Sequence, residues 1–289
     1  MATRPLLIKF GGELLEDPAN LAAVVSGVAR IVNSVASRVG TGPHAQVVIV
    51  HGGGKEIDAA LKRAGIETRQ VDGLRITDEA TLDVVVGVLA GAVNTRLVAA
   101  LNAAHVRAVG LTGADASCGL SDAAAPHRAV DGRVVDLERV GVPCADADMR
   151  LLHTLTRDGF VPVVACIGMG RDGRLFNVNA DTLAGHLAAR LGARRLVIAG
   201  TTAGVLGDDG RTLPVIDVTA IAALVDAGTA TAGMIAKLRA CEHALAGGVD
   251  DVVIVDGRNA SALVDAAESD APSLATRINA GLKPCATGR

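Results

Sequence analysis

Short apolar runs alternate with longer stretches of helical spacing along the whole chain. Leu6–Phe10 is an apolar run broken only by Lys9 and closed by Gly11-Gly12, which predicts a buried strand and a turn. Asp17-Pro18 reads as a helix cap with proline at the first helical position. Beyond it Leu21, Val24, Val25, Val28, Ile31, Val32 and Val35 recur at helical spacing. Val47–Val50 predicts a second strand, followed by Gly52-Gly53-Gly54 and a helix over Lys55–Ala64. Further helices are expected at Asp78–Ala104, Met149–Arg157, Asp181–Leu191, Val218–Asp226 and Gly233–Ala246. Further strands are expected at Ala108–Leu111, Val161–Ile167, Leu196–Ala199 and Asp251–Val255, with a hairpin around Asp131-Gly132. This alternation implies crossover units, hence an α/β fold with a mostly parallel central sheet sandwiched between helices. The weakest seam falls near Gly168–Leu175, so the expected lobes are 1–174 and 175–289.

Composition narrows the function. Half of the 289 residues are hydrophobic, but only three are Phe and none is Trp or Tyr, so the core must be aliphatic. Without aromatic stacking platforms, single-stranded nucleic-acid binding is not expected. A net charge of −3 with no long basic run offers nothing to a polyanion such as nucleic acid. The five cysteines, Cys118, Cys144, Cys166, Cys241 and Cys285, form no CxxC pair and suggest neither a disulfide framework nor a zinc site. The apolar stretch before Lys9 is too short for a signal peptide or a membrane span, which leads us to expect a cytoplasmic protein.

Two glycine patterns invite a false reading. Gly52-Gly53-Gly54-Lys55-Glu56 lacks the spacing of a Walker loop, GxxxxGK[ST]. Gly168-Met-Gly-Arg-Asp-Gly173 fits GxGxxG literally, but Arg174-Leu-Phe-Asn-Val-Asn179 after it is not a helix start, so a dinucleotide-dependent oxidoreductase is disfavoured. Gly11-Gly12 and Gly52-Gly53-Gly54 each follow a parallel-type strand at its carboxyl end, the edge where open α/β sheets bind ligands. Bare backbone N–H groups there suit an anion. Lys9, just before the first turn, points the same way.

Lys9-Phe-Gly-Gly12, His51-Gly-Gly-Gly54, Gly73-Leu-Arg-Ile-Thr77, Asn177-Val-Asn-Ala-Asp181 and Gly233-Met-Ile-Ala-Lys237 occur in this order from Leu6 to about Gly281. In order and spacing they resemble the amino-acid kinase family. Val71–Thr77 resembles the branch that phosphorylates the side-chain carboxylate of N-acetyl-L-glutamate in arginine biosynthesis. The resemblance implies ATP with Mg²⁺ held mainly through the phosphates, an amino-terminal lobe for the acyl substrate and a carboxy-terminal lobe for the nucleotide. A carboxylate nucleophile has an ordinary pKa of about 4.3 and is ionised without a general base. Catalysis then reduces to charge neutralisation and alignment.

By the resemblance, Lys9 meets the transferring phosphoryl group, Lys237 the leaving side, and Asp181 holds both lysines. Gly11 and Gly12 would donate to the phosphoryl group, and Gly53 and Gly54 to the acyl substrate. Arg75 would grip its α-carboxylate, where a planar fork suits a bidentate contact, and Asn177 would orient it. Thr201, Gly204, Val205 and Leu206 would border the nucleotide. Asn179 reads as structural, bridging the turn into its helix, and His51 as a packing or turn residue.

Departures from the family pattern fall in both halves. Thr201 stands where the family has Asp. Glu138 ends a usual Asp-Leu-Gly, and Ala116 follows Gly113-Ala-Asp115 where glycine is usual. They leave open a homologous acyl substrate such as an acetylated aminoadipate, or a catalytically silent nucleotide-binding regulator, though Lys9, Asp181 and Lys237 together oppose the latter. Arginine-controlled members carry a helix ahead of the first strand, whereas only Met1-Ala-Thr-Arg4 precedes Pro5. The resemblance therefore implies a homodimer insensitive to arginine, paired through helices such as Asp78–Ala104.

Overall fold

In a computed structural model the protein is described at residues 4–39, 46–207, 209–226 and 232–280. Chain order runs β1 (Leu6–Phe10), a 3-10 turn at Gly12–Leu14, α1 (Pro18–Val39), β2 (Val47–His51), α2 (Gly54–Ala64), β3 (Gln70–Val71), β4 (Leu74–Arg75) and α3 (Glu79–Val86). A π-helical stretch, Gly87–Val93, joins α3 directly to α4 (Asn94–Ala103). Then come β5 (Ala108–Thr112), β6 (Ser121–Ala123), β7 (His127–Arg128), β8 (Val134–Val135), β9 (Val140–Pro143), α5 (Arg150–Arg157), β10 (Val161–Ala165), β11 (Ile167–Met169), β12 (Leu175–Val178) and α6 (Ala180–Arg190). The last part holds β13 (Arg195–Gly200), β14 (Val215–Asp217), α7 (Val218–Asp226), α8 (Ala232–Ala246), β15 (Asp251–Asp256), α9 (Ala260–Glu268) and β16 (Ala275–Asn279).

Eight strands form one sheet in the order β14-β16-β15-β13-β1-β2-β10-β5. Every pairing in it is parallel except β15 with β16. Alternate strand residues feed two separate cores, as the pleat requires. Leu7, Val48, Val50, Leu196 and Ile198 pack with α2, α5, α6 and α8 on one face. Leu6, Ile8, Phe10, Ile49 and Val197 pack with α1, α4 and α9 on the other. Both faces are thus covered by helices, as the expected sandwich demands.

The long helix from Glu79 to Ala103 is apolar and long enough to cross a membrane by composition alone. Here Val85 and Leu89 enter the first core, while Val93, Leu97 and Leu101 enter the second. The π-helical turns lie where the helix passes from one core to the other.

One expectation needs correction. The run Val161–Ile167 is not one strand: β10 ends at Ala165, and β11 starts at Ile167 in a separate four-stranded sheet, β11-β12-β9-β6. Gly170 to Arg174 is the turn of the antiparallel β11–β12 hairpin. The helix α9, the strands β14 and β16, and the short strands β3, β4, β6, β9 and β12 were not expected at all.

The amino edge of the main sheet holds a buried ion cluster. Asp251, opening β15, takes Arg195 Nε at 2.7 Å and Arg277 Nε at 2.6 Å, one from each neighbouring strand. Arg195 also donates to the carbonyls of Ala266 and Ser269, which fastens the end of α9. Burial works against the Asp251 charge, but the two guanidiniums hold its carboxyl below the usual range.

Candidate functional site

The opposite, carboxyl edge of the sheet opens into a cleft of about 270 Å³. Strand alternation turns Lys9 to the same face as Leu7, toward α6. The side chain of Asn179 caps α6, accepting from the N–H groups of Asp181 and Thr182 at 3.0 and 3.1 Å. That fixes Asp181 in the first turn, where Lys9 Nζ pairs with Asp181 Oδ1 at 2.8 Å. Both residues are buried, at 5% and 6% exposure. Burial alone would discharge Lys9; the Asp181 carboxylate, helped by Glu13, outweighs it and raises the lysine pKa above its ordinary value. Lys9 is therefore a fixed positive charge at neutral pH.

The two glycine turns meet behind this pair. A Cβ on Gly12 would lie 2.5 Å from Gly53 Cα and 2.9 Å from Gly53 N, so the turns touch backbone to backbone. A Cβ on Gly11 would fall 2.3 Å from a Glu13 carboxylate oxygen. The same carboxylate lies 3.4 Å from where a Cβ on Gly200 would be, and Lys237 Cε lies 4.0 Å from that point. Glu13 and Lys237 of α8 thus both approach Gly200, at the end of β13.

On the other side, Arg75 pairs with Asp58 at 2.7 Å through Nη2. Its Nη1 is buried and has no hydrogen-bond partner among the described residues. Asn177 Nδ2 donates to Thr77 Oγ1 at 3.1 Å, and that hydroxyl donates to the Arg75 carbonyl at 3.2 Å. Asn177 and Arg75 are thereby tied together through buried Thr77. Behind the second glycine turn His51 is fully buried, which pushes its imidazole down to about 4.

The structure gathers Lys9, Gly11, Gly12, Gly53, Gly54, Arg75, Asn177, Asp181 and Lys237 around one cleft. Thr201, Gly204, Val205 and Leu206 do not line it. They form the loop after β13. Thr201 accepts from Arg258 at 3.1 Å through its carbonyl, and Thr276 Oγ1 accepts from Val205 N at 2.8 Å. Val205 is buried and Leu206 exposed. Glu13 and Cys166 on the cleft, and buried Thr77 behind it, are not among the site residues expected from sequence. Glu13 and Thr77 sit inside or beside the matched motifs, so adjacency is an available signal. Cys166 lies inside an apolar run and gives none; burial pushes its thiol up to about 12.

The departures from the family pattern acquire a physical meaning. Ala116 has φ +49° and Glu138 φ +60°, left-handed positions where glycine is at ease and a side chain is strained.

A cation that accompanies a nucleotide would find a sparse protein donor set. Among the described residues no cluster of three or more His, Cys, Asp or Glu could hold a metal. Of the two carboxylates on the cleft, Asp181 is engaged by Lys9. Among the described residues, Glu13 is the cleft carboxylate left to face such an ion.

Comparison with known proteins gives consistent findings. The model of the Amino acid kinase family matches residues 4–256. Acetylglutamate kinase of Parvibaculum lavamentivorans is 39% identical over 261 residues, covering 88% of this chain and 82% of that protein. Acetylglutamate kinase of Sphingopyxis alaskensis is 41% identical over 262 residues, covering 89% and 83%. Among solved structures, N-acetylglutamate synthase from Neisseria gonorrhoeae, complexed with coenzyme A and N-acetyl-glutamate, shares the fold. Its TM-score is 0.76 at 24% identity over 96% of this chain, which spans only 59% of that longer one.

Proposed function

Because the chain belongs to the amino acid kinase family, we propose that it is an ATP-dependent kinase of the side-chain carboxylate of N-acetyl-L-glutamate, acting in arginine biosynthesis. The observation that carries this reading is the buried Lys9–Asp181 pair in a glycine-lined cleft, facing an arginine with an unused donor. The substrate carboxylate attacks the γ-phosphorus. The bond from that phosphorus to the β,γ-bridging oxygen breaks, ADP leaves with the electron pair, and an acyl phosphate remains. No proton moves, so no base is needed.

Lys9 neutralises charge on the phosphoryl group in flight, and Gly11 and Gly12 donate backbone N–H groups to it. Lys237 stabilises the leaving oxygen. Asp181 holds Lys9 in place and charged. Gly53, Gly54, Asn177 and the free Nη1 of Arg75 grip the acyl substrate, with Thr77 setting the distance between the last two. The loop Thr201–Leu206 borders the nucleotide. Glu13 would be the cleft carboxylate available to a magnesium ion, which would supply charge withdrawal from the phosphates to which it is mainly bound. The same reading takes 1–174 as the acyl lobe and 175–289 as the nucleotide lobe. It also takes a cytoplasmic homodimer paired through the Glu79–Ala103 helix, whose Val84, Val86, Val88 and Val98 are half-buried.

The test is ADP release from MgATP with a panel of carboxylates. N-Acetyl-L-glutamate should support turnover and free glutamate should not, because an ammonium cannot replace the acetyl amide. Hydroxylamine should trap a hydroxamate. Preference for an acetylated aminoadipate would move the substrate by one methylene; a product inert to hydroxylamine would refute acyl phosphate formation.

A further inference from the structure

Behind the second glycine turn, four groups form a chain whose proton positions have one consistent assignment. Asn94 Nδ2 lies 2.9 Å from the Val163 carbonyl and 3.0 Å from His51 Nε2. A carbonyl only accepts, so the Asn94 atom facing it is the amide nitrogen. The second hydrogen of that nitrogen points at His51 Nε2, which must present its lone pair. The imidazole proton therefore sits on Nδ1, where the Gly52 carbonyl accepts it at 3.2 Å. His51 and Asn94 are buried, at 0% and 5% exposure, so water does not compete. Burial drives the imidazole down to about 4, opposed only in part by the Gly52 carbonyl, so the ring stays neutral.

The fold makes room for this chain at two places. The π-helical turns of Gly87–Val93 end immediately before Asn94, and such turns recur at functional sites. On β5, a Cβ at Gly110 would stand 2.1 Å from Asn94 Oδ1, so only glycine admits the amide. The consequence reaches the cleft through one peptide plane. In a trans peptide the carbonyl and the following N–H point in opposite directions. Drawing the Gly52 carbonyl back onto His51 turns the Gly53 N–H the other way, and Gly53 lines the cleft.

We propose that His51 and Asn94 are positioning residues for the acyl substrate, holding the Gly52–Gly53 peptide so that the Gly53 N–H faces its carboxylate. This rests on reading the cleft as the acyl site, and the experiment separates the two. Nitrogen-resolved NMR of the imidazoles in the full chain reads the tautomer without any substrate. His51 should be protonated on Nδ1 and bare on Nε2, at about pH 7 and still at about pH 5, because its titration lies lower. Protonation on Nε2 overturns the proposal whatever the enzyme phosphorylates.

Kinetics then reads the consequence. Gly110→Ala displaces the Asn94 amide from outside the cleft, and His51→Leu removes the N–H. Each should raise the acyl-substrate KM roughly tenfold, the scale of one lost hydrogen bond, with the ATP KM within about twofold. His51→Asn keeps a donor near the Nδ1 position and should stay within about threefold. Equal losses in His51→Leu and His51→Asn, or equal rises in both KM values, would show a merely structural role. Wild-type protein that binds no acylated amino acid, yet shows the expected tautomer, would instead sink the functional reading.

Discussion

The two glycine turns follow adjacent strands and meet at one point, yet they are built differently. The first is crowded and charged. Lys9 precedes it, Glu13 folds back over Gly11, and Gly12 presses on the backbone of Gly53. The second is neutral and opens outward: His51 behind it is uncharged, and a Cβ on Gly54 would meet nothing within 4 Å. Under the proposed function one turn would handle a moving negative charge and must be rigid and electrostatically set. The other would offer oriented donors to a bound molecule and needs room in front of it. Glycine serves close approach in the first and access in the second.

The largest effect expected from this contrast is at Lys9. Lys9→Ala removes the charge the first turn depends on and should lower kcat by roughly 10²–10³. It also leaves Asp181 buried and unpaired, which should cost about 3–5 kcal/mol of stability in a denaturant titration. A stable Lys9→Ala protein with normal kcat would erase the distinction between the turns. The neutral side has its own signature in acid. The His51 pKa falls from 6.5 to about 4 on folding, so the unfolded chain takes up its proton first. Stability from His51 is whole above pH 6.5 and drains as pH falls toward 4, by roughly 3 kcal/mol in all at about 1.4 kcal/mol per pKa unit. Melting temperatures across that range should slope less in His51→Asn than in wild type.

Two alanine substitutions sharpen the contrast on a smaller scale. Gly12→Ala pushes a methyl into the Gly53 backbone, which cannot swing aside as a side chain would; overpacking of this kind costs about 1–3 kcal/mol. Because it parts both turns, the KM of ATP and of the acyl substrate should rise together. Gly54→Ala meets no obstacle at the first residue of α2 and replaces the poorer helix former, so the protein should gain up to about 1 kcal/mol. A gain from Gly12→Ala, or a loss of stability from Gly54→Ala, would mean the turns are alike.

Much of this was readable before any coordinates. The strands β1 and β2, the cap at Asp17, both glycine turns and the α/β class follow from local periodicity, because parallel strands buried on both faces read as plain apolar runs. The small sheet was not readable in the same way. Its strands have three or four residues, too few for alternation to register, and β10 runs into β11 with one apolar residue between them. The π-helical turns escaped because apolar residues continue through them unbroken. At the cleft, the lysines, Asp181 and Arg75 came from motif order. The Thr77 tie and the Asn94–His51 contact join residues 100 and 43 positions apart, and no local pattern encodes such a meeting. Ala116 and Glu138 were visible as odd letters, but only the positive φ explains why glycine would suit them.

The ion cluster on the amino edge of the sheet has a different kind of consequence. Arg195, Asp251 and Arg277 touch no part of the cleft, so their loss would not alter what a folded molecule does in a second. It would alter how many folded molecules a cell keeps, because a stranded buried charge feeds the unfolded pool that proteases clear. Inherited changes at this edge would give conditional strains, competent when cool and failing on warming. Changes at the carboxyl edge would give strains that fail at every temperature. Growth phenotype alone would thus sort variants by which end of the strands they strike.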